Sequence, residues 1–253
     1  MTFDLVVATV DRVDELEAFL ASLERQTRRD FRVLVVDQND DDRVEGVLGR
    51  HTPLRVERLR APRGLSRARN EALSHLKAEV VAFPDDDCVY PDDLLERVAA
   101  RLGPGVDGVT GREPSWTTAA AVLTRDNLWN RAISFTIFLR RELVERIGAF
   151  DERLGLPSSS GEEIDYLIRA LDAGARIEYD PALVVLHPQK PVDLAAAGAR
   201  DGASIGYLLR KHRYPPRMLA RMLLRPALGA VVDPRRANFH LSTLRGRLRG
   251  YRQ

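Results

Sequence analysis

Over the first 110 residues, short aliphatic and β-branched runs alternate with amphipathic stretches, and this alternation restricts the fold more than any other feature of the chain. A sequence that keeps switching between continuous apolar runs and a period near 3.6 builds βαβ units, and hence a parallel sheet covered by helices. FDLVVA (3–8) reads as a first strand. DELEAFLASLERQ follows with Leu16, Phe19, Leu20 and Leu23 at helical spacing, and FRVLVVD (31–37) is the unbroken apolar run of a strand buried on both faces. A short helix around 42–49, a strand at 54–58, a helix at 65–76 and the strand EVVAF (79–83) continue the series. Pro91 is expected to open another helix, with Asp92 and Asp93 in a first turn where carboxylates suit the helix dipole. The 253 residues allow one large α/β domain, or a domain of about 200 residues with an appendage.

The strand at 79–83 runs into Asp85, Asp86 and Asp87, between a strand's C-terminal end and a helix start. Open α/β sheets bind ligands at that location. Three adjacent carboxylates repel one another and cost stability unless a cation or a dense set of donors faces them. A hard divalent cation would relieve the repulsion, and Mg²⁺ in particular is held by one or two carboxylates together with substrate phosphates. The single cysteine, Cys88, leaves no intramolecular disulfide and argues against a Cys-based zinc site; it reads as a small buried apolar residue.

RGLSRARNEAL sets Arg67, Arg69 and Asn70 at a helix start. The arginines there either reach phosphate oxygens, or form an exposed face and an ion pair with the acidic triplet. Neither common Gly-rich phosphate loop is present. Ser160-Gly161-Glu162-Glu163 fits an S-x-x-E capping box, which would give Glu163 a purely structural task.

Taken in order, VVATVDR, VLVVDQND, RGLSRARNEAL, FPDDDCVYPDDL, FLRRELVERIGAFDERL and GEEIDYLIRALDAGARIEYDPALVVLHP resemble the GT-A-fold inverting glycosyltransferases of family 2, over roughly residues 3–190. The resemblance implies an α/β catalytic domain over 1–190, a Rossmann-like, mixed and mostly parallel sheet flanked by helices, followed by a helical extension over 191–253. It implies a DxD motif in which Asp85 faces the ribose and Asp87 meets a Mg²⁺ or Mn²⁺ ion bridging the donor diphosphate, with Asp85 also near the ion and Asp86 among the donor contacts. Thr9 and Asp37 match positions lining the nucleobase and ribose pocket, Arg67, Arg69 and Asn70 fall on the donor side, and His187 matches a histidine that approaches the metal or the diphosphate. GEEIDYL matches the ED motif, making Glu163 the general base with Glu162 beside it. Two departures stand out: the base position carries Glu163 in place of aspartate, and Val10 stands where the family often has an aromatic. Trp116 and Trp129 fall in a segment that borders the acceptor in such folds, although core packing explains them equally.

The implied activity is metal-dependent transfer of a sugar from a nucleoside-diphosphate donor to a saccharide or lipid-linked acceptor. The alternatives are a nucleotidyltransferase, or a sugar-nucleotide-binding protein without turnover. Residues 186–253 carry 14 Lys and Arg against 3 Asp and Glu, a balance of +11, which leaves −9 for residues 1–185. The tail over 195–253 reads as amphipathic helices broken at Pro215 and Pro216. It either holds an anionic membrane surface or packs with its arginines solvated; nucleic acid is not expected as a partner. With no signal-type N-terminus and no apolar window of 18 residues, the expected location is the cytoplasm, with a peripheral hold on the cytoplasmic membrane face as the reading of the tail.

Overall fold

A computed structural model describes residues 1–155, 160–188 and 193–253. They fall into two compact units, one built on a sheet (1–150 with 166–188) and one on helices (151–165 with 189–253).

In the sheet unit, β1 (Phe3–Thr9), β2 (Phe31–Asp37), β3 (Val56–Arg60) and β4 (Val80–Ala82) pair in parallel, linked by α1 (Val13–Glu24), α2 (Arg43–Arg50) and α3 (Leu65–Leu73). After α4 (Leu94–Arg101) come β5 (Gly108–Arg112), β6 (Ala121–Val122) and β7 (Ile137–Arg140), then α5 (Arg141–Ile147). α6 (Glu162–Asp172) starts in the helical unit, enters the sheet unit at Tyr166 and leads to β8 (Ile177–Val184). The strand order is β3-β2-β1-β4-β7-β5-β8-β6, with β7 antiparallel to β4 and β5, and β6 antiparallel to β8. This is the expected mixed, mostly parallel architecture. β1 and β2 sit inside it with Leu5, Val7, Val33 and Val35 fully buried against the face that also takes Phe19 and Leu20 of α1.

Several boundaries move from those expected. β3 starts at Val56 because a turn closed by Leu54 N–H to the His51 carbonyl, 3.0 Å, takes up the residues before it. α3 ends at Leu73. α4 starts at Leu94, since the Pro91 carbonyl accepts from the Gln26 amide at 2.6 Å and the Asp92 carbonyl from Thr27 N–H at 2.7 Å, which holds Pro91–Asp93 as a turn. Asp92 therefore precedes the helix, and Asp93 is its flanking residue without a side-chain cap bond.

The helical unit contains α7 (Leu194–Lys211), α8 (Pro216–Val232) and α9 (Ala237–Arg252), with α7 and α8 separated at the two prolines as expected. The boundary expected at 190/191 lies outside the described residues; the segment from Asp151 to Asp165, however, belongs with these helices. It is tied to α7 by Ser160 N–H donating to Ser204 Oγ (2.9 Å), by Tyr207 Oη and Lys211 Nζ donating to Asp151 (2.8 Å each), and by Lys211 Nζ and His212 Nε2 on the buried Asp165 (2.5 and 2.8 Å). α7 and α9 run parallel: Gly198 faces Phe239 and Thr243, Gly202 faces Thr243, and Gly206 faces Arg247 and Tyr251. α8 is the antiparallel return between them. Pro226 within α8 has no N–H, which frees the Met222 carbonyl one turn earlier, and Arg247 of α9 donates to it. No helix among the described residues is long and apolar enough to cross a membrane.

Candidate active site

The site forms where the parallel strands end. Thr9 and Asp37 are register partners at the last positions of β1 and β2. Beyond β4 the chain continues alongside β1 far enough for Asp85 to bridge to Ala8, and a further bridge joins Val89 to Leu186. These backbone pairings bring Thr9, Asp37, the acidic triplet and His187 to one edge of one sheet.

The three aspartates are held differently. Asp85 accepts from Ser134 Oγ through both carboxylate oxygens (3.0 and 3.1 Å) and from Arg69 at 3.4 Å. Asp86 is turned inward to Arg12, at 2.9 Å, and burial pushes its carboxyl up to about 6 against the opposing pull of that guanidinium. Asp87 shares the same Arg12 nitrogen at 3.1 Å and meets His187 Nε2 at 2.9 Å. That bond from Asp87 raises the His187 imidazole above its ordinary value, while the ring stacks on Phe135 with centroids 4.9 Å apart and planes 6° from parallel. Burial makes the Cys88 thiol inert by pushing its pKa well up.

On the β2 side, Asp37 is buried. Burial alone would raise its pKa, but the Asn39 backbone and side chain (2.9 and 2.7 Å) and Arg58 (2.7 Å) outweigh it and hold the carboxyl below the usual range. Asn39 also accepts from Asp11 N–H at 2.8 Å, and Asp11 has the left-handed φ of 56°. The chain Asp37, Asn39, Asp11 thus shapes the turn that presents Arg12 to the triplet.

The sequence reading overlooked Arg12 and Ser134. Arg12 was legible in principle, as the cation directly after β1 in a chain whose acidic triplet needs one. Ser134 comes from a 3₁₀ turn after β6 and is brought in by tertiary packing alone.

Arg69 is buried between Phe83 and Phe150, 5.8 and 5.5 Å from the ring centroids, so it backs Asp85 as the ion-pair reading expected and is not exposed to a ligand. Arg67 is exposed on α3. The Asn70 amide accepts from Phe150 N–H at 2.7 Å and donates to its carbonyl at 3.1 Å, so it pins backbone. Trp116 and Trp129 are half-buried, with the Trp129 indole donating to the Arg125 carbonyl at 3.0 Å, and neither sits in the core.

Glu162 and Glu163 open α6 in the helical unit, Glu162 buried and Glu163 partly so. The capping-box register does not hold: the helix begins at Glu162, preceded by Gly161 at φ 86°, and the Ser160 hydroxyl donates to Asp201 at 2.9 Å.

Asp85, Asp87 and His187 each offer one ligand atom, all within 4.8 Å of one another. Two hard carboxylate oxygens and one imidazole form a donor set that fits Mg²⁺ or Mn²⁺ and lacks the thiolates that select softer metals.

The model of the family described as Glycosyl transferase family 2 matches residues 4–154. The glycosyltransferase AglE of Haloferax volcanii is 25% identical over 207 residues, which are 74% of this chain and 67% of that protein. A pre-mycofactocin glycosyltransferase of Mycobacterium tuberculosis is 28% identical over 211 residues; the match takes in 73% of this chain and only 43% of the relative's length. Among solved structures, the mannosyltransferase PcManGT of Pyrobaculum calidifontis, in complex with GDP-Man and Mn²⁺, superposes with a TM-score of 0.71 at 18% identity, covering 98% of this chain and 86% of that one. TarS of S. aureus in complex with UDP-GlcNAc gives 0.65 at 18% identity, covering 100% and 92%. At such identity these two structures establish the GT-A fold, and the family model spans more than half of the sequence: the chain belongs to glycosyl transferase family 2.

Proposed function

We propose that this chain moves a sugar from a nucleoside-diphosphate donor to a hydroxyl of a saccharide or lipid-linked acceptor, with inversion at the anomeric carbon. The observation that carries this reading is the meeting of Asp85, Asp87 and His187 within 4.8 Å, on the sheet edge where Thr9 and Asp37 also end. The donors named with the two structural neighbours, GDP-Man and UDP-GlcNAc, belong to the same chemical class. Asp85, Asp87 and His187 would hold Mg²⁺ or Mn²⁺, which when bound neutralises charge on a leaving diphosphate.

The remaining work falls to the chain itself. Ser134 and Arg69 fix the orientation of Asp85, and Arg12 fixes Asp86 and Asp87, so the acidic face is set before a donor arrives. Thr9 and Asp37 frame the nucleoside. Glu163 takes the proton from the acceptor hydroxyl as its oxygen attacks the anomeric carbon; the new C–O bond forms on the side opposite the diphosphate, whose bond to carbon breaks, and the centre inverts.

Glu163→Gln is the test. It is expected to lower kcat about 10²- to 10⁴-fold and to leave the affinity for nucleotide unchanged. Turnover equal to the parent enzyme would remove Glu163 from this role and point to nucleotidyl transfer or to binding without transfer.

A further inference from the structure

The most exposed large apolar side chains among the described residues gather near the end of α8: Leu224 is 58% exposed, Leu228 61%, Val231 77% and Val232 81%. Their spacing of 4, 7 and 8 residues from Leu224 puts all four on one helix face, while Met218, Met222 and Pro226 on another face are buried. Contiguous apolar surface of this kind marks an interaction site.

Charge identifies the partner. From Pro216 to the last residue, the α8–α9 hairpin carries nine arginines and one acid, Asp233, a net +8. Arg225 lies in the same helix as the apolar face, and Arg235 and Arg236 follow directly in the exposed turn after Val232. Arg247 donates to the Met222 carbonyl, yet its Nε is buried with no hydrogen-bond partner. Burial, and then the neighbouring Arg225, lower the Arg247 pKa to about 10, and no carboxylate among the described residues pairs with either cation. The exposed Arg225, Arg235 and Arg236, close in the chain to the exposed apolar face, call for an anion that arrives together with hydrocarbon.

We propose that the α8–α9 hairpin is an in-plane anchor for an anionic lipid bilayer, with Leu224, Leu228, Val231 and Val232 at the acyl boundary and the arginines on headgroup phosphates. A second copy docking hairpin to hairpin would oppose +8 to +8, and a nucleic acid would leave the four apolar side chains in water. The glycine face of α7, at Gly198, Gly202 and Gly206, is closed against α9 and lies outside the proposed surface. The anchor is thereby confined to a single hairpin of the basic tail, and it is independent of the transferase reading.

The test is co-sedimentation of the full chain with phosphatidylglycerol-containing vesicles, with pure phosphatidylcholine vesicles, and retention on duplex DNA. Binding to the anionic vesicles that weakens as salt rises, with little binding to neutral ones, is expected. Leu228→Asp with Val232→Asp should lower partitioning by at least about a hundredfold, and Arg235→Glu with Arg236→Glu by about fivefold per charge removed. Both pairs of positions are exposed, so the thermal melt should stay that of the parent. As a measurement of position, Val232→Trp should be quenched by brominated lipid. No binding to anionic vesicles, equal binding by the aspartate variant, an unquenched Val232→Trp, retention on DNA in place of vesicles, or a dimer that Leu228→Asp dissolves would each overturn the proposal.

Discussion

In the sheet unit, side-chain volume fills the space between layers: Leu5, Val7, Phe19, Val33, Val35 and Phe138 are all fully buried. In the helical unit, α7 and α9 approach until backbone meets backbone at Gly202, Gly206, Gly246 and Gly250, where no side chain separates them. A Cβ on Gly206 would lie 2.1 Å from the Arg247 carbonyl oxygen, and one on Gly250 would lie 1.9 Å from that of Ala203. Packing by volume tolerates substitution in proportion to the volume changed, whereas packing by absence has no soft neighbour to yield. The two units should therefore fail under different kinds of mutation.

The largest effect sharpens that contrast from the sheet side. Phe138→Ala should cost about 3–5 kcal/mol. Gly206→Ala, the addition of a single methyl group, should cost about 1–3 kcal/mol, and the loss should fall on the helices. Both tryptophans, Trp116 and Trp129, lie in the sheet unit, so tryptophan fluorescence reports its unfolding, while far-UV circular dichroism follows the helices of both units, and the part of its change that fluorescence does not share reports the helical unit. Coincident loss of both signals in Gly206→Ala would break the comparison.

pH should separate the units with opposite signs. Asp86, raised to about 6 by burial, keeps a proton in the folded sheet unit between about pH 4 and 6, where the unfolded chain has released it, so lowering the pH through that window stabilises this unit. His187, raised first by its bond to Asp87, acts in the same direction: its contribution is complete below the unfolded value of about 6.5 and is lost as pH rises through the folded one. In the helical unit burial works against the charged Asp151, but Arg153, Lys211 and Tyr207 prevail and hold it well below the carboxylate range. Its contribution is complete above about pH 4 and is lost as the pH falls through the folded value. In chelator, moving from pH 7 to 5 should therefore raise the tryptophan-reported midpoint and leave the helical one in place. An equal shift in both would show that the two units titrate alike.

The smallest effect tests glycine where nothing crowds it. A Cβ added to Gly49, inside α2, would have no atom within 4 Å, and the backbone there is ordinary helix, so Gly49→Ala should stabilise by about 0.4–1 kcal/mol. The same substitution thus changes sign between the two units, read as a shift in the urea midpoint.

Legibility in the sequence followed the same division. β1 and β2 stood out because strands buried on both faces are continuous apolar runs, and β2 matches its expected span of 31–37. The segment holding β6 and the turn with Ser134 showed no periodicity, because its pairing depends on β8, far away in the chain. Pro91 suggested a helix start that Gln26 and Thr27 override from across the fold. In the tail, leucines and arginines drew attention, while the glycines at 198, 202 and 206, and at 246 and 250, carried the four-residue spacing that signals close helix approach. At the site, the triplet was legible as chemistry, and His187 only through the family resemblance. The inward turn of Asp86 was not, because it depends on Arg12, and the burial of Arg69 depends on two phenylalanines distant in sequence.

The central claim is that Asp85, Asp87 and His187 join a divalent cation to a nucleoside diphosphate. Isothermal titration of UDP and GDP, with Mn²⁺ or with chelator, into the parent chain and into Asp87→Asn tests it directly. At least one nucleotide should bind the parent with Mn²⁺, bind far more weakly in chelator, and lose the difference in Asp87→Asn. Nucleotide binding that is indifferent to the cation, or a Mn²⁺ effect that survives Asp87→Asn, would contradict the account.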